Sequence, residues 1–477
     1  RAWCRQAPSP RVLTVLRSPI MACEVERTDA PYTKALQWDL PTASLTHQYA
    51  NIYFARLANL RKPVLAAAKR RWGELAKTPV KTLDAEPGSA AVIIGTVYKD
   101  MKRKPNVLAD MERDLFEDRA EAEDGASNKY CGEGDRLMIE DESGRIALTG
   151  PLVQDCALVT GVVVAVRGTV NEAGELELED VCLPGLPPQQ KLPQQTGEGG
   201  DHFVALVSGL HLGHESQDML PLEMMREYLT GMLGGSAEQA AQARTVRLVI
   251  AGNSTAGGAK AEGGSDASNL AAPDVMKRLA QAEQQALAQR VSLLDSFLTS
   301  VAASVPVDLM PGADDPCSFL LPQQAFHPCM LPQATRLETL NLCTNPHACD
   351  IDGVAFVGSS GQPLDDMMRY VPGDDRLGAL VESLKFRHLA PTAPDTLGCC
   401  PFTTTDPFVL KECPHVYFAA NQPAYAETLV EGDDGQRVRV ITLPDFGTTR
   451  TLVLVNLRTL ECSPVSFAGL DGDEPMQ

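Results

Sequence analysis

Among the 13 cysteines of this 477-residue chain there is no C-x-x-C pair. Zinc ribbons and fingers need two close pairs to build a tetrahedral thiolate site, so that class is excluded. Cys399 and Cys400 are adjacent and Cys343 and Cys349 are six positions apart, which is neither metal-knuckle nor disulfide-like spacing. An odd count without such regularity fits a reducing compartment and thiols used as core residues. Basic charge is also short: 42 Lys and Arg stand against 62 Asp and Glu, a net charge of −20. An acidic surface repels phosphate backbones, which argues against a stand-alone nucleic-acid binder. Aromatics make up 5% of the chain, and no apolar run approaches the ~20 residues that span a bilayer. The longest, Gly161–Val166, is strand-sized.

What is present reads as two or three folded units, on a prior of ~100–200 residues each. Residues 1–40 are expected to be a disordered leader. Arg1–Ala22 has four arginines and no acidic residue, as an organelle transit peptide would. Extra upstream sequence, with Met21 as the working start, is the preferred reading. Residues 41–80 form a helical segment, since Tyr53, Leu57, Leu60, Val64, Ala68 and Trp72 recur at three- and four-residue steps across Thr46–Lys77. Pro63 interrupts the stripe and predicts a kink or a break.

From Ala90 the period shortens to that of strands. About five short β runs in roughly a hundred residues, separated by turns at Glu142–Gly144 and Asn171–Gly174, suit a small OB-type barrel over 81–190. Met111–Cys131 is an acidic insert expected to carry a helix. Tyr98 with Lys99, Lys102, Arg103 and Lys104 offers a weak nucleic-acid patch, but stacking aromatics are scarce, so a protein-docking barrel is favoured. The Pro/Gln/Gly-rich stretch ending at Gly200 is a linker, drawn at 191–200. The last unit, 201–477, alternates strands with helices at Leu220–Leu233 and Asp274–Ser304, an α/β pattern. Within it, 255–272 is glycine-rich and apolar-poor, hence a disordered insert.

Four β-branched runs of this unit stop at small-residue turns: Phe203–Gly213, Thr245–Ser254, Val305–Pro316 and Cys413–Pro423. Together with Tyr49–Trp72, Val92–Leu108, Leu137–Gly150, Leu158–Val170, Leu178–Gln189, Cys343–Gln362 and Leu384–Phe402, they carry a resemblance over roughly nine tenths of the chain. The sequence resembles the small B-type subunits of replicative DNA polymerases, and the GTVYKDMKRKP segment resembles the delta branch. That resemblance implies an OB domain followed by a calcineurin-like phosphoesterase domain, a β-sandwich flanked by helices. It also implies a nuclear accessory subunit that binds the cysteine-rich C-terminal domain of a polymerase catalytic subunit and bridges to a further accessory subunit, with DNA met only through the complex.

In an active metallophosphoesterase the four turns read Asp-x-His, Gly-Asp, Gly-Asn-His-Asp and Gly-His-x-His. Here the corresponding positions are Gly209 with His211, then Asn253, then Ala313, Asp314 and Asp315, and finally Asn421 and Pro423. Two metals ~3.5–4 Å apart need carboxylates and imidazoles, most of which are replaced. The expectation is therefore a degenerate site with no catalytic residue, metal or cofactor. Two other readings stay open: a metal-dependent nuclease resembling the small subunit of archaeal family-D polymerases, and an OB module for single-stranded DNA. His211, Asp314 and Asp315 are read as a hydrogen-bonded strand-end residue and turn formers, or as loose ligands of one hard cation. His327, His347, His388 and His415 are read as satisfied by backbone groups. GSSGQ at Gly358–Gln362 is a weak candidate phosphate cradle. The apolar loops Ala325–Ala334 and Gly398–Leu410 either dock a partner or wrap the domain's own sheet.

Overall fold

A computed structural model of the chain describes residues 27–40, 46–104, 129–155, 157–193, 201–214, 218–257 and 273–468. The acidic insert expected at Met111–Cys131 and the glycine-rich one at 255–272 therefore lie largely outside the described residues.

The expected leader is corrected at its C-terminal end, because residues 27–40 are woven into the last unit. Strand β1 (Tyr32–Lys34) pairs antiparallel with the strand at His347–Ile351. Trp38 is buried and its indole N–H donates to the Pro407 carbonyl at 3.0 Å. The Arg27 guanidinium donates to the carbonyls of Leu229 and Thr245, each at 2.7 Å. These side chains order a polar stretch that shows no periodicity of its own.

Helix α1 (Ala50–Trp72) runs as one helix through Pro63, so the chain does not break into two helices there. Its buried stripe of Leu57, Leu60, Val64, Ala68 and Trp72 packs on Val92, Ile94, Val163 and Ala165. Each buried aliphatic side chain contributes ~1.5–3 kcal/mol, enough to offset the ~3 kcal/mol cost of an interior proline. Strands β2 (Ala90–Asp100), β3 (Arg136–Glu140), β4 (Arg145–Thr149), β5 (Val163–Val170) and β6 (Leu176–Cys182) close a barrel in the order β2-β3-β4-β6-β5. Closure is made by a short parallel pairing of β4 with β6 at Leu148–Leu176.

The remaining strands form two six-stranded sheets. One holds β7 (Phe203–Val207), β8 (Thr245–Ala251), β9 (Val307–Met310), β10 (Leu340–Leu342), β16 (Thr451–Asn456) and β17 (Cys462–Ser466). The other joins β1 to β11 (His347–Ile351), β12 (Val354–Ser359), β13 (Val416–Gln422), β14 (Ala426–Glu431) and β15 (Arg437–Pro444). Strict alternation along the strands sorts side chains into layers. Val204, Leu206, Val249, Phe418 and Ile441 meet between the sheets. Ala205, Val207, Leu248 and Ile250 face α2 (Met219–Leu229) and α4 (Pro273–Ala302), with the short α3 (Ser236–Gln242) between those helices in sequence. On the far side Tyr417, Ala419, Val438 and Val440 face α5 (Gln362–Tyr370) and α6 (Arg376–Lys385). The result is four layers, helix, sheet, sheet, helix.

The barrel is fastened to this layered unit rather than tethered. Met367, Tyr370 and Phe386 enter the barrel core alongside Ile93 and Val97. At the seam the buried Arg56 of α1 donates to Asp406 Oδ2 at 2.7 Å, to the carbonyls of Gly161 (3.0 Å) and Pro391 (2.7 Å), and to that of Ala393 (2.6 Å). Gly161 has φ +90°, and a Cβ there would sit 1.9 Å from the Pro391 oxygen, so only glycine allows the barrel this close. Residues 184–193, expected to lead into a loose linker, instead lie along the layered unit. Arg387 donates to the carbonyls of Gly185 (2.6 Å) and Leu186 (2.7 Å), and the Gln189 amide to those of Pro414 and Arg437.

Candidate functional site

Seven strands run parallel within their sheets, β7-β8-β9-β10 in one and β12-β13-β15 in the other, and their carboxyl ends converge. In open α/β sheets that is where ligands bind. The loops after these strands are stitched together by backbone bonds: Gly209 N–H to the Gly252 carbonyl (3.0 Å), His211 N–H to that of Asn253 (3.1 Å), and Phe446 N–H to that of Ser208 (2.8 Å). Gly209, His211, Asn253, Ala313, Asp314, Asp315 and Asn421 are thereby brought to one cleft. His211, Asn253 and Asn421 all adopt left-handed backbone, with φ of 45°, 52° and 55°. Such conformations cost energy in non-glycine residues and gather at functional sites.

The side chains in the cleft are turned on one another. His211 Nε2 lies 2.5 Å from Oδ2 of Asp445, a residue at the end of β15 that sequence reasoning missed. Asp314 Oδ2 is 4.0 Å from His211 Nδ1. The Asp445 hydrogen bond, opposed by burial and helped by the charges of Asp445, Asp314 and Asp315, raises the imidazole above its ordinary value. Asp315 is buried and accepts from the backbone of Ser254 (3.2 Å), Thr255 (2.8 Å) and Gly312 (2.8 Å) and from the Thr255 hydroxyl (3.0 Å). Burial pushes its carboxyl up in spite of those bonds. Its oxygens are committed to holding the β8 and β9 loops together. Asn253 Oδ1 accepts from Asp314 N–H at 3.1 Å. The Asn421 amide donates to Ser360 O (2.8 Å) and Oγ (2.9 Å), drawing the GSSGQ segment to the cleft. Ala313 and Pro423 are exposed and offer no ligand atom.

Gly209 decides what the cleft can hold. Its φ is +67°, and a Cβ there would lie 2.3 Å from Asp445 Oδ2. Asp445 thus fills the space where a ligand aspartate of the first turn would project. The missed residue, Asp445, left a faint signal: it follows a β-branched strand at a proline-containing turn, much as the four recognised loops do, while Ser360 lay in the GSSGQ segment already singled out.

The nucleic-acid patch is reduced. Lys99 Nζ donates to the Tyr370 carbonyl at 2.6 Å and Lys104 pairs with Asp395, so both ammonium groups face the layered unit. Lys102 and Arg103 remain exposed. Of the apolar loops, Phe326, Leu331, Cys399, Phe408 and Leu410 are buried in the chain's own core; outside those loops, Phe319 is 83% exposed.

The fold and its cleft thus define a barrel joined to a two-sheet α/β unit whose loop cluster binds many of its own polar side chains. Comparison with known proteins places the chain. Residues 48–181 match the family model for the DNA polymerase delta subunit OB-fold domain, and residues 204–427 that for the B-type subunit of DNA polymerase alpha/epsilon. The DNA polymerase delta small subunit of Arabidopsis thaliana is 41% identical over 88% of this chain and 91% of its own length. That of Saccharomyces cerevisiae is 33% identical over 88% and 89%. The DNA polymerase II small subunit of Pyrococcus horikoshii is 24% identical over 64% of this chain and 48% of its own length. The chain belongs to the DNA polymerase delta small subunit family.

Proposed function

We propose that the chain is a non-catalytic scaffold subunit of a nuclear DNA polymerase delta complex, in which residues 81–190 are the OB domain and 201–477 a calcineurin-like phosphoesterase fold that has lost its metal pair. One observation carries this reading: in the cleft, Asp445 occupies the space above Gly209 and is itself bound by His211. A binuclear centre needs several free carboxylates and imidazoles. The cleft supplies a single histidine and three carboxylates, of which Asp445 is taken by that histidine and Asp315 by backbone groups, so Asp314 alone faces the solvent beside them.

A scaffold must be stiff, and the buried Arg56 seam makes barrel and layered unit move as one body. Partner surfaces are to hand. A groove of about 650 Å3 between α1, residues 186–192 and the β14–β15 hairpin is floored by Pro63, Leu186 and Leu192 and rimmed by Arg70 and Arg437. Phe319 projects into solvent elsewhere. The partners in this reading are the cysteine-rich C-terminal domain of the catalytic subunit and one further accessory subunit, held through interfaces of upwards of ~2,000 Å2.

Affinity purification of the tagged chain followed by mass spectrometry is the test. Recovery of a polymerase catalytic subunit in stoichiometric yield is expected. Purified chain should also leave single-stranded DNA intact in manganese. Strand degradation that disappears on substituting His211, Asp314 or Asp315 would instead establish the nuclease reading.

A further inference from the structure

Away from the cleft, deep between the two sheets, a second group of ligand-type side chains has no such mutual settlement. Asp308 of β9 is fully buried, and His347 and Cys349 of β11 are 2% and 5% exposed. One potential donor atom from each lies within 4.8 Å of the others. His347 and Cys349 are two apart on one strand, so both point from the same face, toward Asp308 on the opposite sheet.

Burial at this depth normally requires every polar atom to be paired, at a cost of ~1–3 kcal/mol for each one left alone. Here Asp308 Oδ2 and both ring nitrogens of His347 have no hydrogen-bond partner within the protein, and neither has the nearby Tyr32 hydroxyl. The other described buried histidines behave differently: His415 accepts from Ala355 N–H at 2.9 Å and lies 2.9 Å from the Gln190 carbonyl, and His388 is likewise bonded on both sides. His347 Nε2 stands 3.6 Å from Asp308 Oδ2, too long for a hydrogen bond. It falls within the ~3.3–3.8 Å that separates two ligand atoms on one tetrahedral zinc ion with bonds of ~2.0–2.3 Å.

We propose that the inter-sheet core contains a structural site for a zinc-class divalent ion, ligated by Asp308 Oδ2, a His347 ring nitrogen and the Cys349 thiolate, with water as fourth ligand. Mixed oxygen, nitrogen and sulfur donors suit Zn2+ rather than Mg2+ or Ca2+, which take oxygen. Arg247 donates to Asp308 Oδ1 at 2.7 Å and Asn341 to the same oxygen at 2.9 Å, which orients the carboxylate and leaves Oδ2 free. The guanidinium stacks on the Tyr32 ring, 3.5 Å from its centroid. Because that guanidinium is positive, the ion needs the thiolate's charge, and binding releases the Cys349 proton to solvent. Enclosed on all sides, the ion does no chemistry; it clamps one sheet to the other.

The full-length chain, produced with zinc in the medium and purified without chelators, is assayed by elemental analysis. About one zinc per chain is expected. It should fall about tenfold or more in H347Q/C349S and persist in His211→Ala, which reports on the cleft. Since the double variant can fail to fold, unsubstituted chain is also stripped, refolded with Co2+ alone and read for a thiolate-to-cobalt absorption band. That band should be present in the unsubstituted chain and absent in C349S. Zinc and cobalt both missing from folded unsubstituted chain, zinc retained by the double variant, or zinc lost in His211→Ala would each overturn the site.

Discussion

Two histidine–aspartate pairs in this molecule do different work. His211 and Asp445 sit half-buried in the cleft at the strand ends, where three residues hold left-handed backbone. His388 and Asp406 lie fully buried at the seam, with Arg56 on the same carboxylate. At the seam both ring nitrogens are paired: His388 Nε2–H donates to Asp406 at 2.8 Å, while Nδ1 accepts from Ala390 N–H at 3.2 Å. Burial, and then the nearby Arg56 charge, hold this imidazole down at about 4. Burial alone would raise the Asp406 carboxyl, but its bonds and charges from His388 and Arg56 hold it well below the usual carboxylate range. In the cleft the sign is opposite, because three aspartates face His211 and raise it. The strained loop cluster keeps its charges half-exposed, while the seam buries its charges and depends on their pairing.

The sharpest way to separate the two regions is to remove Arg56. Arg56→Ala leaves Asp406 buried without its cation and should cost ~3–5 kcal/mol. Urea denaturation should show this, with α1 and the barrel edge losing hydrogen-exchange protection. Next comes acid. Because the folded pKa of His388 lies below its unfolded value of ~6.5, its contribution is complete above that pH. It is lost as pH falls from ~6.5 toward about 4, by roughly 2–3 kcal/mol. Denaturation midpoints across that window should fall, and H388N should flatten the slope; an unchanged slope would remove His388 from the seam's account. Third, Gly209→Asp tests whether the cleft can be re-armed. The strained φ and the crowding by Asp445 should cost ~1–3 kcal/mol without gain of manganese-dependent activity. Smallest is His211→Gln, expected to cost about 1 kcal/mol by thermal unfolding at pH 6. The raised pKa of His211 makes its contribution complete below ~6.5 and lost as pH rises through the folded value, so the variant and parent should converge in alkali. Co-purification with the polymerase should survive this change but not Arg56→Ala.

Much of the architecture was legible along the chain. The period-2 runs of β2–β6 and the buried strands β7, β8, β9 and β13 announce themselves, as does the long amphipathic α4. The break offered at Pro63 does not occur, because propensity reports an isolated helix whereas α1 is held by the barrel beneath it. Residues 27–40 misled because their order comes from a sheet edge more than three hundred residues away. Lys99 and Lys104 were legible as charges, not as the inward-facing partners of Tyr370 and Asp395.

The sequence alone determined the family, through the resemblance of segments spread over most of the chain, and the order of barrel and layered unit, because motif order and strand or helix period are read along the chain. Only the tertiary structure decided that Asp445 fills the space above Gly209, that Arg56 locks the seam, and that Asp308 meets His347 and Cys349 between the sheets. Each of those juxtapositions joins residues from different strands or helices. Burial, which sets the energy of every charge involved, exists only once the layers have closed around them.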